Sequence, residues 1–251
     1  MADLRYQSQT QPRFQSRAEV DQGLRSYMLG VYNHMALGVA VTAIIVMATY
    51  TVPALQGVTA VLAFPAMIGL LVMGFVGPRL LLGGSVARAQ AVYWGYVALW
   101  GIGIAPMVHR YLGIDPSMVM TAFLSASVTF GAMSLWGYTS KRDLSGMGAM
   151  AGMALMGLLI AAVVNLVVSL FTGVTATTML ISTVISFGFV IFVSLVTAWE
   201  TQAIKEMYVE SEPGEVVARK SVFGAFMLYG SFISIFINIL QILGFMNSSS
   251  E

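Results

Sequence analysis

Apolar runs recur seven times along the chain, separated by short stretches rich in Gly, Pro, Ser and charged side chains. They are Val31–Tyr50, Val58–Gly77, Ala91–Val108, Met118–Tyr138, Ala149–Phe171, Met179–Trp199 and Val222–Phe245. A hydrocarbon core takes roughly 20 residues of helix, so each run is of a length to cross it. None alternates polar and apolar positions as a barrel strand does, and only helices or closed barrels satisfy their backbone in lipid. The pattern therefore predicts an all-α integral membrane protein with seven transmembrane helices. The divisions are least defined around Pro53 and near Glu200, where polar and apolar residues mix. The organisation read from this pattern is a polar tail over 1–30, helical from Ser16 onward, a seven-helix domain over 31–247, and a short tail over 248–251. The polar tail has no early apolar stretch of the kind a secretory signal carries. No internal repeat is evident, which weakens the case for an inverted-repeat transporter.

Composition sharpens this picture. The chain is 58% hydrophobic and 9% charged, with a mean hydropathy of +0.83. A soluble domain carries roughly a quarter charged residues, so this chain cannot cover a water-facing surface. A net charge of +1 with scattered basic residues leaves no footprint for nucleic acid. Zero cysteines exclude disulfide frameworks, thiolate metal sites, iron–sulfur clusters and cysteine nucleophiles. With 251 residues, the chain has no room for a second, soluble catalytic domain.

Charge placement predicts orientation. Arg5, Arg13, Arg17 and Arg25 of the tail fall on one side with Arg79, Arg88, Lys141, Arg142, Lys205, Arg219 and Lys220, whereas Arg110 alone lies on the other. By the positive-inside rule the N-terminus is cytoplasmic, and an odd number of crossings puts the C-terminus outside.

The central portions of the seven runs hold no charge. The last run has no Lys for a retinal Schiff base, and no Asp/Glu series exists for a proton pump. His34 and His109 lie at run ends on opposite sides with no second metal ligand nearby in sequence, so interfacial packing is expected of them, not a metal site. No nucleophile–base pair survives inspection, so an enzyme is not expected, nor is a cofactor.

Uncharged polar residues are more telling. Ser231, Ser234, Asn238 and Gln241 fall at i, i+3, i+7 and i+10, one face of about 80° at about 100° per residue. Two readings stand: interhelical hydrogen-bond glue, or the lining of a narrow polar path. Ser182, Ser186, Thr197 and Glu200 form a matching face of about 60° on the sixth run. Glu200 is either a terminal acid that snorkels into water or a partly desolvated carboxylate able to titrate near neutral pH. Asn165, deep in the fifth run, is expected to hydrogen-bond inside the bundle. Gly148 and Gly152 form a small-xxx-small pair that permits close helix approach, and Pro106 is expected to kink the third helix.

Four stretches resemble the Bax inhibitor-one family, whose bacterial members are called YccA-like. They are SLVTAWETQAIKEMY (Ser194–Tyr208), GIGIAPMVHRY (Gly101–Tyr111), GYTSKRDLSGMGAMAGMALMGLLIAAVVN (Gly137–Asn165) and LYGSFISIFINILQILG (Leu228–Gly244). They cover most of the chain after residue 90, in order and with similar spacing. The resemblance implies six helices surrounding a central seventh. It also implies a slow, pH-sensitive calcium leak, with calcium as the permeant ion and no cofactor. The family's sensor is a pair of acids, one ending the sixth segment and one in the last helix. The first falls on Glu200, with Glu in place of the usual Asp, and the second on Ser231, a departure from the pattern. An Arg near the first acid matches Arg79. This assigns Glu200, Ser231 and Arg79 to a gate, and Ser234, Asn238, Gln241, Ser182, Ser186 and Asn165 to the lining of the path. With Ser231 bonded to Glu200, and Arg79 paired with it, any leak would depend less steeply on pH near neutrality than in two-acid members. The resemblance also supports an alternative: a non-conducting protein that regulates a partner such as a membrane-bound protease, or a stress response, through the tail Met1–Arg25. The expected location is a bacterial inner membrane, with the lipid bilayer as the surrounding partner.

Overall fold

A computed structural model describes the backbone of residues 17–248 and the side chains of residues 22–247. The start of the polar tail, with Arg5 and Arg13, and the end of the C-terminal tail lie outside the described residues. Among the described residues the chain forms seven helices and no strand: α1 Arg17–Thr51, α2 Pro53–Leu82, α3 Val86–Ile114, α4 Pro116–Thr139, α5 Ser145–Thr172, α6 Ala176–Glu206 and α7 Gly214–Ser248. All seven are long and apolar enough to span a membrane.

The helices outrun the apolar runs that predict them. Hydropathy marks only the part of a helix that meets hydrocarbon, whereas its hydrogen bonds continue through the interface. Thus α6 runs on past Trp199 to Glu206, and α1 begins at Arg17.

Local chemistry sets the breaks. Pro53 and Pro116 open α2 and α4 at a position where a missing N–H costs nothing. Asp115 caps α4. One carboxylate oxygen accepts the Ser117 hydroxyl at 2.7 Å and the other the Ser117 N–H at 2.8 Å, which together hold this carboxyl below the usual carboxylate range. Thr175 and Thr178 form a reciprocal capping box at the start of α6. Gly173 ends α5 with a φ of +75°, a conformation that favours glycine. Pro106 lies inside α3, which continues through it from Val86 to Ile114.

The last helix is the centre. In α7, 61% of the most apolar stretch is buried within the protein, against 6% in α5. α7 packs against α6, α1, α4, α3 and α2, whereas α5 packs chiefly on α6 and takes the outermost place in the ring. The connections α2–α3, α4–α5 and α6–α7 lie together at one end, tied by bonds such as Arg219 to the Leu82 and Gly84 carbonyls. This end carries Arg79, Arg88, Lys141, Arg142 and Lys220, and is called the basic end below.

Tyr93 and Tyr96 of α3 meet Tyr229 of α7 edge-on, with ring centroids 6.2 and 5.7 Å apart. A buried phenol needs a partner. The Tyr229 hydroxyl finds it in Thr42 of α1, at 2.6 Å. Tyr229→Phe keeps the ring and removes the bond, so it is expected to lower stability by about 1 kcal/mol. Thermal unfolding in detergent checks this; an unchanged midpoint would show that the bond contributes nothing.

Candidate functional site

Positions 200, 201, 202 and 205 of α6 project in different directions, because successive residues turn by about 100° on a helix. Each side chain holds a different neighbour. Glu200, only 9% exposed, accepts the Ser231 hydroxyl of α7 at 2.6 Å on Oε2. Thr201 lies 3.0 Å from Ser134 of α4, which lies 2.6 Å from the Tyr32 hydroxyl of α1. Gln202 accepts the Leu144 N–H at 2.8 Å and donates to the Arg142 carbonyl at 2.9 Å, holding the α4–α5 connection. Lys205 donates to the Tyr138 carbonyl at 2.9 Å and sits 5.0 Å from the centre of that ring.

The hydroxyl chain has a fixed direction. A carbonyl only accepts, so Thr201 donates to the Thr197 carbonyl, at 2.8 Å. Ser134 must then donate to Thr201, and Tyr32 to Ser134. One turn of α6 thereby fastens α1, α4, α7 and the α4–α5 connection at a single level near the basic end.

Further along the seam between α6 and α7, Ser186 donates to the Gln241 side chain at 2.6 Å. Between that contact and Glu200–Ser231 the polar groups turn onto their own helices. Ser194 and Thr197 donate to the Val190 and Val193 carbonyls, and Asn238 donates to the Ser234 carbonyl. The seam is therefore pinned at two points with self-satisfied hydroxyls between them. Two cavities, of about 430 and 440 Å³, open near the basic end, and neither is lined by Glu200, Ser231, Ser234 or Asn238.

The structure thus brings together Glu200 with Ser231 and Ser186 with Gln241. It decides against the snorkelling reading of Glu200, whose carboxylate turns inward onto α7. Arg79 requires a correction: it is exposed at the end of α2 and makes no ion pair with Glu200. The reason is architectural. α2 packs on α3, α1 and α7, and not against α6. Asn165 donates to Ser182 at 2.8 Å and to the Thr178 carbonyl at 3.1 Å. These two residues fasten α5 to α6 and so lie away from α7, contrary to their assignment to a path along it. Of the small-residue pair, Gly148 lies against the Trp199 indole, whereas nothing stands within 4 Å of a Cβ at Gly152.

Sequence reasoning missed Tyr32, Ser134, Thr201 and Gln202. Single hydroxyls in apolar runs carry little signal, but the dense polar run from Glu200 to Lys205 was visible in the sequence. Each histidine bonds to a main-chain carbonyl. His34 donates from Nδ1 to the Gly30 carbonyl, leaving Nε2 to accept from Gln90 at 2.8 Å. His109 Nε2 donates to the Val46 carbonyl at 3.0 Å. Among the described residues, no group of three or more His, Asp or Glu side chains is placed to hold a metal ion.

Residues 24–248 match the family model described as inhibitor of apoptosis-promoting Bax1. An uncharacterized protein of Rickettsia prowazekii is 36% identical over 230 residues, covering 89% of this chain and 91% of that protein. One from Caulobacter vibrioides is 35% identical over 251 residues, covering 93% and 94%. The inner membrane protein YbhL of Escherichia coli is 30% identical over 238 residues, covering 93% and 97%.

Proposed function

This chain belongs to the Bax inhibitor-one family, a multi-pass membrane protein family, and from that premise we propose that it is a gated calcium leak held closed at the α6–α7 seam. The observation that carries the reading is the Glu200–Ser231 hydrogen bond, which ties the single buried acid of α6 to the central helix. An intramembrane acid is costly, so its presence points to a function. Opening would part Glu200 from Ser231 and Ser186 from Gln241, and free Ser234 and Asn238 to face water along α7. Arg79 stays away from Glu200, so the expectation of a shallow pH dependence loses the ion pair it rested on. The protein sits in a bacterial inner membrane with the basic end, and hence the N-terminus, in the cytoplasm. The reading assigns no catalysis and no cofactor.

The test is calcium entry into liposomes containing the purified protein, beside empty liposomes and a Glu200→Gln variant. Slow entry above the empty control, altered in the variant, is expected. A folded protein that passes no calcium at any pH sinks the leak.

One observation favours a second reading, regulation of a membrane-bound protease or stress partner. The cavity of about 440 Å³ lies between the start of α1 and the α6–α7 connection, and holds the buried hydroxyls of Tyr27 and Ser221, which have no hydrogen-bond partner among the described residues. Deleting residues 1–16 discriminates the two. Intact flux with lost partner binding supports regulation, and lost flux with retained binding supports the leak.

A further inference from the structure

α1 and α4 both pack on α7 but leave a groove of about 430 Å³ between them at the basic end. Its floor is the Tyr32–Ser134 hydrogen bond, and its walls are apolar: Met28 and Leu29 on one side, Phe130 and Leu135 on the other. Leu29 and Leu135 are 53% and 64% exposed, so the groove opens on the face that meets lipid tails. Gly131 leaves its middle empty, with no atom within 4 Å of where a Cβ would stand. At its polar end lies Arg25, exposed, with no ion pair among the described residues. Tyr138 closes the opposite wall there and carries the Lys205 ammonium against its ring. Lys141 and Arg142 follow, two and three residues beyond the end of α4, both exposed.

We propose that this groove binds one anionic phospholipid of the adjacent leaflet, its phosphate on the Arg25 guanidinium and one acyl chain laid between α1 and α4 over Gly131. The planar guanidinium matches two phosphate oxygens at once, which an ammonium cannot do. Basic clefts between transmembrane helices are a recurrent way of holding such headgroups. Hydrophobic transfer does not select the lipid, because its tails leave one apolar medium for another. Selection comes from charge at the headgroup and from the shape that Gly131 leaves open. The bound chain would lie directly on the hydroxyl chain Tyr32–Ser134–Thr201, which ends one residue from Glu200, so an occupied groove would brace α1 and α4 against the level where α6 is fastened. The site stands independently of any calcium leak, since binding is read directly.

The experiment is native mass spectrometry of the full chain in detergent, titrated with palmitoyl-oleoyl phosphatidylglycerol or with phosphatidylcholine of the same tails. One adduct per chain with about a fivefold preference for phosphatidylglycerol is expected, the scale of one well-placed basic residue. Arg25→Gln should remove the preference while leaving a weak adduct of both lipids. Gly131→Phe should suppress both adducts without lowering the melting midpoint, because no neighbouring side chain or helix stands within 4 Å of where its Cβ falls. Equal occupancy by the two lipids in the unaltered protein overturns the proposal. So does an adduct indifferent to Gly131→Phe, or a Leu135→Cys variant whose cross-links show a second copy of the chain seated in the groove.

Discussion

Gly137→Ala is expected to lower the stability of the bundle by about 3 kcal/mol, at the upper end of what overpacking costs. A Cβ at this position would fall on the Ala198 carbonyl oxygen of α6, and within 2.8 Å and 2.9 Å of the Ala198 carbonyl carbon and Cα. Backbone atoms inside a helix cannot rotate aside, so α4 and α6 must separate. Separation would also stretch the 3.0 Å contact of Ser134 with Thr201, which lies one turn from the collision on α4 and three residues from it on α6. Two other glycines calibrate the result. Gly148→Ala meets the root of the rigid Trp199 indole and should also cost stability. Gly152→Ala meets nothing and should be neutral or stabilising, because Ala is the better helix former. Thermal unfolding of the three variants in one detergent gives the order, and a Gly137→Ala midpoint equal to that of Gly152→Ala would refute this account of the α4–α6 contact.

Ser231→Ala is expected to cost about 2 kcal/mol, because it leaves the buried Glu200 carboxyl without its partner on α7. The change is nearly isosteric, so no cavity accounts for the loss. Under the proposed function it should also raise basal calcium entry, since one of the two points that pin the seam is gone. Ser231→Thr retains a hydroxyl and should stay near the unaltered protein in both measurements. If Ser231→Ala melts like the unaltered protein, the bond is incidental to the seam. If it melts earlier but flux does not rise, the bond is structural and does not hold a gate.

The site was partly legible in the sequence, and the division follows from periodicity. The faces of Ser231 and Gln241, and of Glu200 and Ser186, could be read because a helix fixes which residues share a side. That these faces meet each other, and at which heights, could not be read, since it depends on how α6 and α7 are paired along their lengths. Arg79 illustrates the same limit. Its place at the end of a helix near the basic end was legible, but its distance from Glu200 depends on whether α2 packs against α6, which it does not. Gly148 and Gly152 looked equivalent as a small-xxx-small pair, yet only Gly148 faces a neighbour. Gly137, whose Cβ would strike the Ala198 backbone of α6, carried no spacing signal.

By itself, then, the sequence determined that the chain crosses a membrane seven times as helices, and which end gathers the basic residues. Hydropathy and charge act residue by residue against a solvent of fixed thickness, and need no knowledge of neighbours. The family resemblance already implied a central seventh helix; only the tertiary structure decided that α5 lies outermost, that Glu200 turns inward to Ser231, and that α1 and α4 stand apart over Gly131. Those features are relations between surfaces of separate helices. In lipid, where the surroundings are themselves apolar, no hydrophobic stripe announces the partner in advance; small residues and a few buried hydrogen bonds choose it.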